Sequence, residues 1–98
     1  MSVVGTYKVS AETPIGRRTF EISVFEGGDG HSGILKTEER TYELDKVKVN
    51  ENNFTFQVNL KLPMGDVYAT FDCNVHEDMI SGEVITAFAT VDIRGQKV

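Results

Sequence analysis

The sequence predicts an all-β protein: an eight-stranded antiparallel up-and-down closed barrel made of two pseudo-symmetric four-stranded repeats. Three observations predict it. The chain resembles itself at a shift of 49 residues, its apolar residues alternate with polar ones, and turn-forming residues separate the alternating segments. Because 98 residues suffice for one domain with one core, we treat 1–98 as a single barrel domain, with repeat one at 1–49 and repeat two at 50–98.

The internal repeat is the strongest signal in the chain. At the shift of 49, eleven of 49 residue pairs are identical, against about three expected from ordinary composition. A repeat of this length is typical of tandem supersecondary units. The identical pairs are Thr6/Thr55, Val9/Val58, Pro14/Pro63, Gly16/Gly65, Asp29/Asp78, Ser32/Ser81, Gly33/Gly82, Thr37/Thr86, Thr41/Thr90, Lys48/Lys97 and Val49/Val98.

Each repeat contains four segments in which apolar residues recur at every second position. This period indicates strands with one buried face, and no segment has the 3.6-residue period of a helix. The residues predicted to face inward are Tyr7, Val9, Ala11, Phe20, Ile22, Val24, Gly33, Leu35, Thr37, Tyr42 and Leu44 in repeat one, and Phe56, Val58, Leu60, Ala69, Phe71, Cys73, Gly82, Val84, Thr86, Val91 and Ile93 in repeat two.

The segments between the strands have hairpin chemistry. Residues 13–16 and 62–65 both contain Pro followed two positions later by Gly, which predicts a type I turn with a glycine bulge. Residues 50–53 are rich in asparagine, which tolerates a left-handed backbone, and they join the two repeats. The inward alternation slips by one residue between Leu44 and Val47, so we expect a β-bulge near Asp45 or Lys46.

The repeat also predicts how the sheet closes. If the fourth strand pairs with the fifth across residues 50–53, symmetry requires the eighth strand to pair with the first. An even number of strands allows this antiparallel closure, which removes the exposed edges of an open sheet. An eight-stranded barrel has room for packed side chains or for one small ligand. An open two-sheet sandwich is the alternative fold.

Several short motifs carry a family resemblance. They are Gly-Thr-Tyr at 5–7, Thr-Pro-Ile-Gly at 13–16, Leu-Pro-Met-Gly at 62–65, Ser-Gly at 32–33 and 81–82, and Ile-Arg-Gly at 93–95. With them the chain resembles small bacterial calycin, or lipocalin-like, β-barrel domains without an assigned activity. The resemblance covers nearly the whole chain and implies the barrel fold. Its motifs are turn and packing residues, so it transfers no functional residue, and the chain has no Trp to form the lipocalin Gly-x-Trp signature.

Composition excludes several classes of partner. The net charge is −5 and no basic stripe is present, so we expect no nucleic-acid partner. No apolar run approaches the roughly 18 residues of a membrane span, and the N-terminus has no signal-peptide pattern. The single cysteine, Cys73, excludes an intrachain disulfide and suits a reducing compartment, so we expect a cytoplasmic protein.

Histidine and cysteine provide two weak site candidates. His31 and His76 should lie at the same end of the barrel, near Glu26, Asp29, Glu77 and Asp78. A metal or general-base site there is one interpretation, but the acids are also ordinary turn residues, so we assign no metal site and no cofactor. Cys73 faces inward by alternation, which favours a buried small hydrophobic residue over a reactive thiol.

Some apolar residues fall where the alternation predicts exposure. Ile15 and Met64 occupy the tips of matched turns, where they either plug one barrel mouth or mark a contact surface. Phe25, Ile34 and Ile85 point outward and suggest a face for a homodimer, although single exposed apolar residues are common.

Two functional hypotheses remain open. In the first, the barrel interior binds a small apolar ligand through the inward aromatic residues Tyr42, Phe56 and Phe71. In the second, the core is filled and the protein is a structural or protein-interaction module, for example a homodimer. An enzyme is not expected, because the sequence has no nucleophile elbow, phosphate loop, His-Glu-x-x-His or Cys-x-x-Cys motif.

Overall fold

The computed structural model describes residues 3–13, 16–28, 30–62 and 65–98, and the regular structure of these residues is entirely β-strand. The chain is one antiparallel sheet in which each strand pairs with its neighbours in space. The strands are β1 (Gly5–Thr13), β2 (Gly16–Gly27), β3 (Gly30–Lys36), β4 (Thr41–Glu43), β5 (Asp45–Asn50), β6 (Asn53–Leu62), β7 (Gly65–His76), β8 (Met79–Ile85) and β9 (Thr90–Lys97).

The sheet curls so that the two ends of the chain meet. Its strand order is β4-β3-β2-β1-β9-β8-β7-β6-β5, an up-and-down arrangement in which the first and last strands are neighbours. The register runs from Tyr7 opposite Lys97 to Ala11 opposite Ile93. The predicted pairing of the first and last strands is therefore confirmed, and the all-β antiparallel barrel with it.

The barrel is nearly closed, and the incomplete part lies between β4 and β5. β4 pairs only with β3, and β5 pairs only with β6. A hydrogen bond bridges this seam: the Lys61 N–H donates to the Tyr42 hydroxyl at 3.1 Å. The Leu44 N–H donates to the Gly33 carbonyl at 3.0 Å and continues the pairing of β4 with β3 up to the seam. We call this region, between β4 and β6 and between β3 and β5, the seam.

The prediction of eight strands was wrong, because the expected fourth strand is divided in two. The pairing of β5 with β6 shifts register between Asp45 and Lys48, and Lys46 has a left-handed backbone with φ 52°. The predicted bulge near Asp45 or Lys46 is thus confirmed. A bulge bends and twists its strand, so the segments before and after Leu44 follow different neighbours and count as two strands.

The alternation of the sequence correctly separates inside from outside. On β1, for example, Tyr7, Val9 and Ala11 are buried whereas Lys8 is exposed. Apart from Gly33, the buried residues of the described part are all hydrophobic: Val3, Tyr7, Val9, Ala11, Ile22, Val24, Leu35, Phe54, Phe56, Val58, Ala69, Phe71, Cys73, Val75, Ile80 and Ile93.

Aromatic rings from both halves of the chain form one continuous series through the core. Successive ring centroids are 6.1, 6.0, 4.6 and 6.1 Å apart in the order Tyr7, Phe54, Phe56, Phe71 and Phe20. These separations are typical of rings in direct contact. Side chains therefore occupy the part of the interior that this series crosses.

Glycines allow neighbouring strands to approach closely. A Cβ at Gly33 would overlap the carbonyl oxygen of Ser23, and a Cβ at Gly82 would overlap that of Asp72. The turn glycines have a different role: Gly16 and Gly65 have φ of 113° and 130°, which only glycine adopts readily. The central residues of both Pro-containing turns lie outside the described residues.

Candidate functional site

The structure places the three aromatic residues of the interior hypothesis around the core. Phe56 and Phe71 are buried and stacked, with centroids 4.6 Å apart and planes inclined by 12°. Tyr42 is half-buried on β4 and packs against the same core. Its hydroxyl accepts a hydrogen bond from the Lys61 N–H, so this polar group is used to bridge the seam.

Cys73 is fully buried on β7, as the alternation predicted. Burial, and secondarily the nearby charge of Asp72, raise the pKa of the Cys73 thiol to about 12. A thiol with such a pKa is almost entirely protonated at neutral pH and is a poor nucleophile. The interpretation of Cys73 as a small core residue is confirmed.

The two histidines lie at one end of the barrel, His31 at the start of β3 and His76 at the end of β7. His31 is partly buried and His76 is exposed. Within the part of the chain that the structure describes, no group of three or more His, Cys, Asp or Glu side chains could hold a metal ion. Asp29, one of the acids considered with them, lies outside that part.

The predicted outward apolar residues do not form one face. Phe25 and Ile85 are exposed and Ile34 is partly buried. Phe25 and Ile34 lie on β2 and β3, whereas Ile85 lies on β8, and β1 and β9 separate these strands in the sheet. The turn-tip residues Ile15 and Met64 lie outside the described residues.

Three exposed apolar residues lie at one end of β7 and β8 and in the loop that follows β8. Phe88 is 83% exposed, Tyr68 is 50% exposed and Ile85 is 42% exposed. Ile85 lies opposite Thr70 in the ladder, and Tyr68 precedes Thr70 by two positions on the same face. Phe88 follows in the loop between β8 and β9. We call Tyr68, Ile85 and Phe88 the apolar rim.

The loop that carries Phe88 is well braced. The Thr86 hydroxyl oxygen accepts hydrogen bonds from the N–H groups of Phe88, at 3.2 Å, and Ala89, at 3.1 Å. The Thr86 N–H and the Thr86 hydroxyl both donate to the Ala89 carbonyl, at 2.9 and 3.1 Å. A threonine-stabilised turn of this kind holds the backbone in one shape, so the Phe88 side chain projects from a defined support.

The loop between β3 and β4 has the same bonds but different chemistry. The Thr37 hydroxyl oxygen accepts from the N–H groups of Glu39 and Arg40, and the Thr37 N–H donates to the Arg40 carbonyl at 2.8 Å. This loop presents Glu38, Glu39 and Arg40 to solvent where the other presents alanines and Phe88. The turn therefore forms without an apolar residue, and folding does not explain Phe88.

Sequence reasoning missed Phe88, although the repeat contained the signal. At the shift of 49, Phe88 aligns with Glu39. One copy of the turn carries an aromatic residue where the other carries an acid. The two equivalent turns therefore differ in the chemistry of their surfaces. Alternation could not show this, because the residue lies in a loop where no period applies.

A small groove adjoins the apolar rim on the outer face of β5, β6 and β7. Its volume is about 100 Å³, and its lining consists of Lys46, Lys48, Thr55, Phe56, Gln57 and Thr70. Thr70 lies opposite both Gln57 and Ile85, so the groove and the rim share one row of the sheet. We call it the lysine groove. The Tyr68 hydroxyl donates to Oε1 of Gln57 at 2.7 Å, and this bond links the apolar rim to the lysine groove.

A larger groove of about 520 Å³ crosses the outer face of β9, β1, β2 and β3. Its lining contains Lys8, Lys36 and Arg94 together with Glu21 and Glu38. Glu21 lies opposite Lys8 on one side and Lys36 on the other. Cations and carboxylates thus alternate across the strands, and this surface has little net charge.

Comparison with known proteins identifies no relative of this chain. No protein-family model, no curated protein and no solved structure matches the chain. Among the described residues, no helix has the length and apolar character that a helical membrane crossing requires.

The described residues differ in the chemistry that they make available. Cys73 is buried and protonated, and the described histidines and acids form no metal-ligand cluster. What the outer surface offers is an apolar contact area beside a groove with two ammonium groups.

Proposed function

We propose that this chain is a protein-interaction module with a filled core, which binds a protein partner through the apolar rim. The observation that carries the proposal is Phe88, 83% exposed on a braced turn. Aromatic residues are enriched at protein interfaces because they bury a large area with few rotatable bonds. A fixed backbone support lowers the entropy lost on binding further.

The state of the interior favours this proposal over the small-ligand hypothesis. The aromatic series from Tyr7 to Phe20 occupies space that an apolar ligand would need. The linings of the two grooves described above consist mostly of polar residues, with the core residues Val9 and Phe56 also present. A ligand held by Tyr42, Phe56 and Phe71 would require these packed rings to separate.

Site-specific photo-crosslinking tests the interaction proposal. We expect a photoreactive phenylalanine analogue at position 88 to give a discrete crosslinked protein in the producing cells. The same analogue at position 25, which is 49% exposed on another part of the barrel, is the matched control and should give none. Excess unmodified protein should compete the product away, and excess Phe88→Ser protein should not.

The outcomes separate the competing hypotheses. A product of twice the chain mass, obtained with the purified protein alone, identifies the partner as a second copy and supports the homodimer. Identical products at positions 88 and 25, or no product, contradict the proposal. An apolar small molecule retained in native mass spectrometry would instead support the interior-ligand hypothesis.

We also propose that the barrel is a calycin-like fold composed of two like halves. Its strand bounds support this: β2 and β7 span 16–27 and 65–76, and β3 and β8 span 30–36 and 79–85, each pair offset by 49 residues. The close approaches of Gly33 to Ser23 and of Gly82 to Asp72 are offset by the same number. The threonine-braced turns after β3 and β8 are a third correspondence.

A further inference from the structure

We propose that the lysine groove is a binding site for a tetrahedral oxyanion, a free phosphate or the phosphoryl group of a small phosphate ester. The groove is lined by Lys46, Lys48, Thr55, Thr70 and Gln57, residues whose side chains end in ammonium, hydroxyl and amide groups. Each of these groups can donate a hydrogen bond to an anionic oxygen. The inference does not depend on the apolar rim and goes beyond the interaction function.

The charge of the lining is unusual for this chain. The protein has 10 Lys and Arg against 15 Asp and Glu, yet the lining holds two lysines and no carboxylate. In the larger groove, by contrast, Glu21 and Glu38 accompany the cations. Two ammonium groups without a lining carboxylate favour an anion over a zwitterion or a cation.

The size of the groove suits one small group. Its volume of about 100 Å³ equals the liquid volume of about three water molecules. That is enough for a phosphoryl group and too little for a nucleotide. A larger phosphate ester would therefore place only its phosphoryl group in the groove and leave the remainder in solvent.

A hydrogen bond orients the amide donor of the groove. Oε1 of Gln57 accepts the Tyr68 hydroxyl at 2.7 Å. A carbonyl oxygen has two lone pairs, so this bond occupies one of them and leaves the NH₂ group as the donor of the side chain. The NH₂ group is what Gln57 would offer to an anionic oxygen.

The β-bulge brings the first lysine to the groove. Lys46 has φ 52°, a conformation that a residue with a Cβ adopts at a cost in energy. Bulges redirect side chains and are frequent beside binding sites. Here the bulge places two lysines in the lining within three consecutive residues.

Three carboxylates lie near the lining and oppose an anion to different degrees. Glu83 lies opposite Asp72, diagonal to Thr70 in the ladder, and is exposed. Asp72 lies opposite Thr55, but its Oδ1 accepts the side-chain N–H of Asn53 at 2.8 Å, which directs it toward that residue. Asp45 lies opposite Gln57 and is exposed. Its charge should weaken anion binding, which provides a sensitive test.

Titration with inorganic phosphate, followed by amide chemical shifts at pH 7.5 and constant ionic strength, tests the site. We expect saturable shifts confined to residues 45–48, 55–57 and 70. The double variant Lys46→Gln, Lys48→Gln should lose affinity by about tenfold or more, because both charge-assisted donors are removed. Asp45→Asn should raise affinity by about twofold to threefold through loss of one repulsive charge.

Matched variants and ligands complete the experiment. Lys8→Gln with Lys36→Gln removes the same charge from the larger groove and should leave the affinity unchanged, as should Phe88→Ser. Non-saturating shifts, shifts spread over all lysines, or equal losses in both double variants would overturn the proposal. O-phosphoserine distinguishes the sources: tighter binding than phosphate assigns the site to an ester, and weaker binding assigns it to free phosphate.

Discussion

At the scale of single residues, two ionisable groups are buried in their neutral forms. The Tyr7 hydroxyl donates to the Val3 carbonyl at 2.6 Å, and burial, with a smaller effect of Cys73, raises the Tyr7 pKa. Burial and the charge of Asp72 raise the Cys73 pKa to about 12, from an ordinary value of 9.0. Both groups therefore keep their protons in the folded protein at pH values where the unfolded chain releases them.

Stability should consequently fall in alkaline solution. Below pH 9, where both states hold the thiol proton, Cys73 contributes its full stabilisation. From pH 9 to about 12 only the unfolded chain releases this proton, so the free energy of unfolding should decrease by about 1.4 kcal/mol per pH unit from this group. Urea unfolding between pH 7 and 11 measures the slope.

The Cys73→Val variant is the control for that slope. Valine has a similar volume, does not ionise, and is the residue at position 24, which aligns with Cys73 at the shift of 49. We expect the variant to be folded at pH 7 and to lose stability less steeply above pH 9. Equal slopes in the two proteins would show that the Cys73 thiol does not cause the alkaline loss.

The left-handed residue in the bulge gives a second prediction. Lys46 has φ 52°, whereas Lys48 lies in regular strand. Lys46→Gly should raise the free energy of unfolding by about 1 kcal/mol, because glycine adopts this φ without strain. Lys48→Gly should lower it by about 1 kcal/mol, since glycine weakens a strand. Changes of the same sign in chemical denaturation would contradict the explanation.

At the scale of the strands, close packing depends on positions that lack a side chain. Gly82 on β8 faces the carbonyl of Asp72 on β7 at a distance that leaves no room for a Cβ. Gly95 on β9 faces the carbonyl of Lys8 on β1 in the same way. These contacts occur inside paired strands, so one added methyl group must push two strands apart.

Gly82→Ala should therefore destabilise the fold by about 2 kcal/mol, the usual size of an overpacking penalty. Gly28→Ala is the control, because a Cβ at Gly28 meets no atom within 4 Å, and its effect should stay within about 0.5 kcal/mol. Thermal or urea unfolding measures both. A neutral Gly82→Ala would show that β7 and β8 can separate without loss of packing.

At the scale of the whole molecule, the barrel closes in two different ways. Where the termini meet, backbone pairing joins β1 to β9 from Tyr7 to Ala11. At the seam, the Lys61 N–H donates to the Tyr42 hydroxyl, and β3 contacts β5 without pairing with it. Since β4 has only three residues and pairs on one side, we expect the seam to open before the joint between the termini.

Hydrogen exchange tests this order of opening. Amides of β4 and of Lys61 should exchange faster than those of Val9 and Ala11. Tyr42→Phe removes the acceptor of the Lys61 N–H and should accelerate exchange at Lys61, with a stability loss of about 1 kcal/mol or less. Tyr68→Phe removes an exposed hydroxyl elsewhere and should leave Lys61 unchanged. Faster exchange in β1 than in β4 would contradict the expected order.

Most of the fold could be predicted because its determinants are local. The period of two in β1, β2 and β7 separates buried from exposed residues without knowledge of neighbours, and the slip after Leu44 located the bulge. The candidate site was harder to predict from the sequence. Phe88 lies in a loop without a period, and the lysine groove combines residues of β5, β6 and β7 whose juxtaposition follows from register.

The chain alone therefore specified strands and inward faces, since alternation and turn chemistry act over a few residues, and its repeat predicted the meeting of its two ends. Tertiary structure decided the division at Leu44, because a bulged backbone cannot follow two neighbours at once. It also decided that Tyr68 and Ile85 lie next to Thr70, which lines the groove with two lysines. Such proximity depends on the register with which successive strands pair in the sheet.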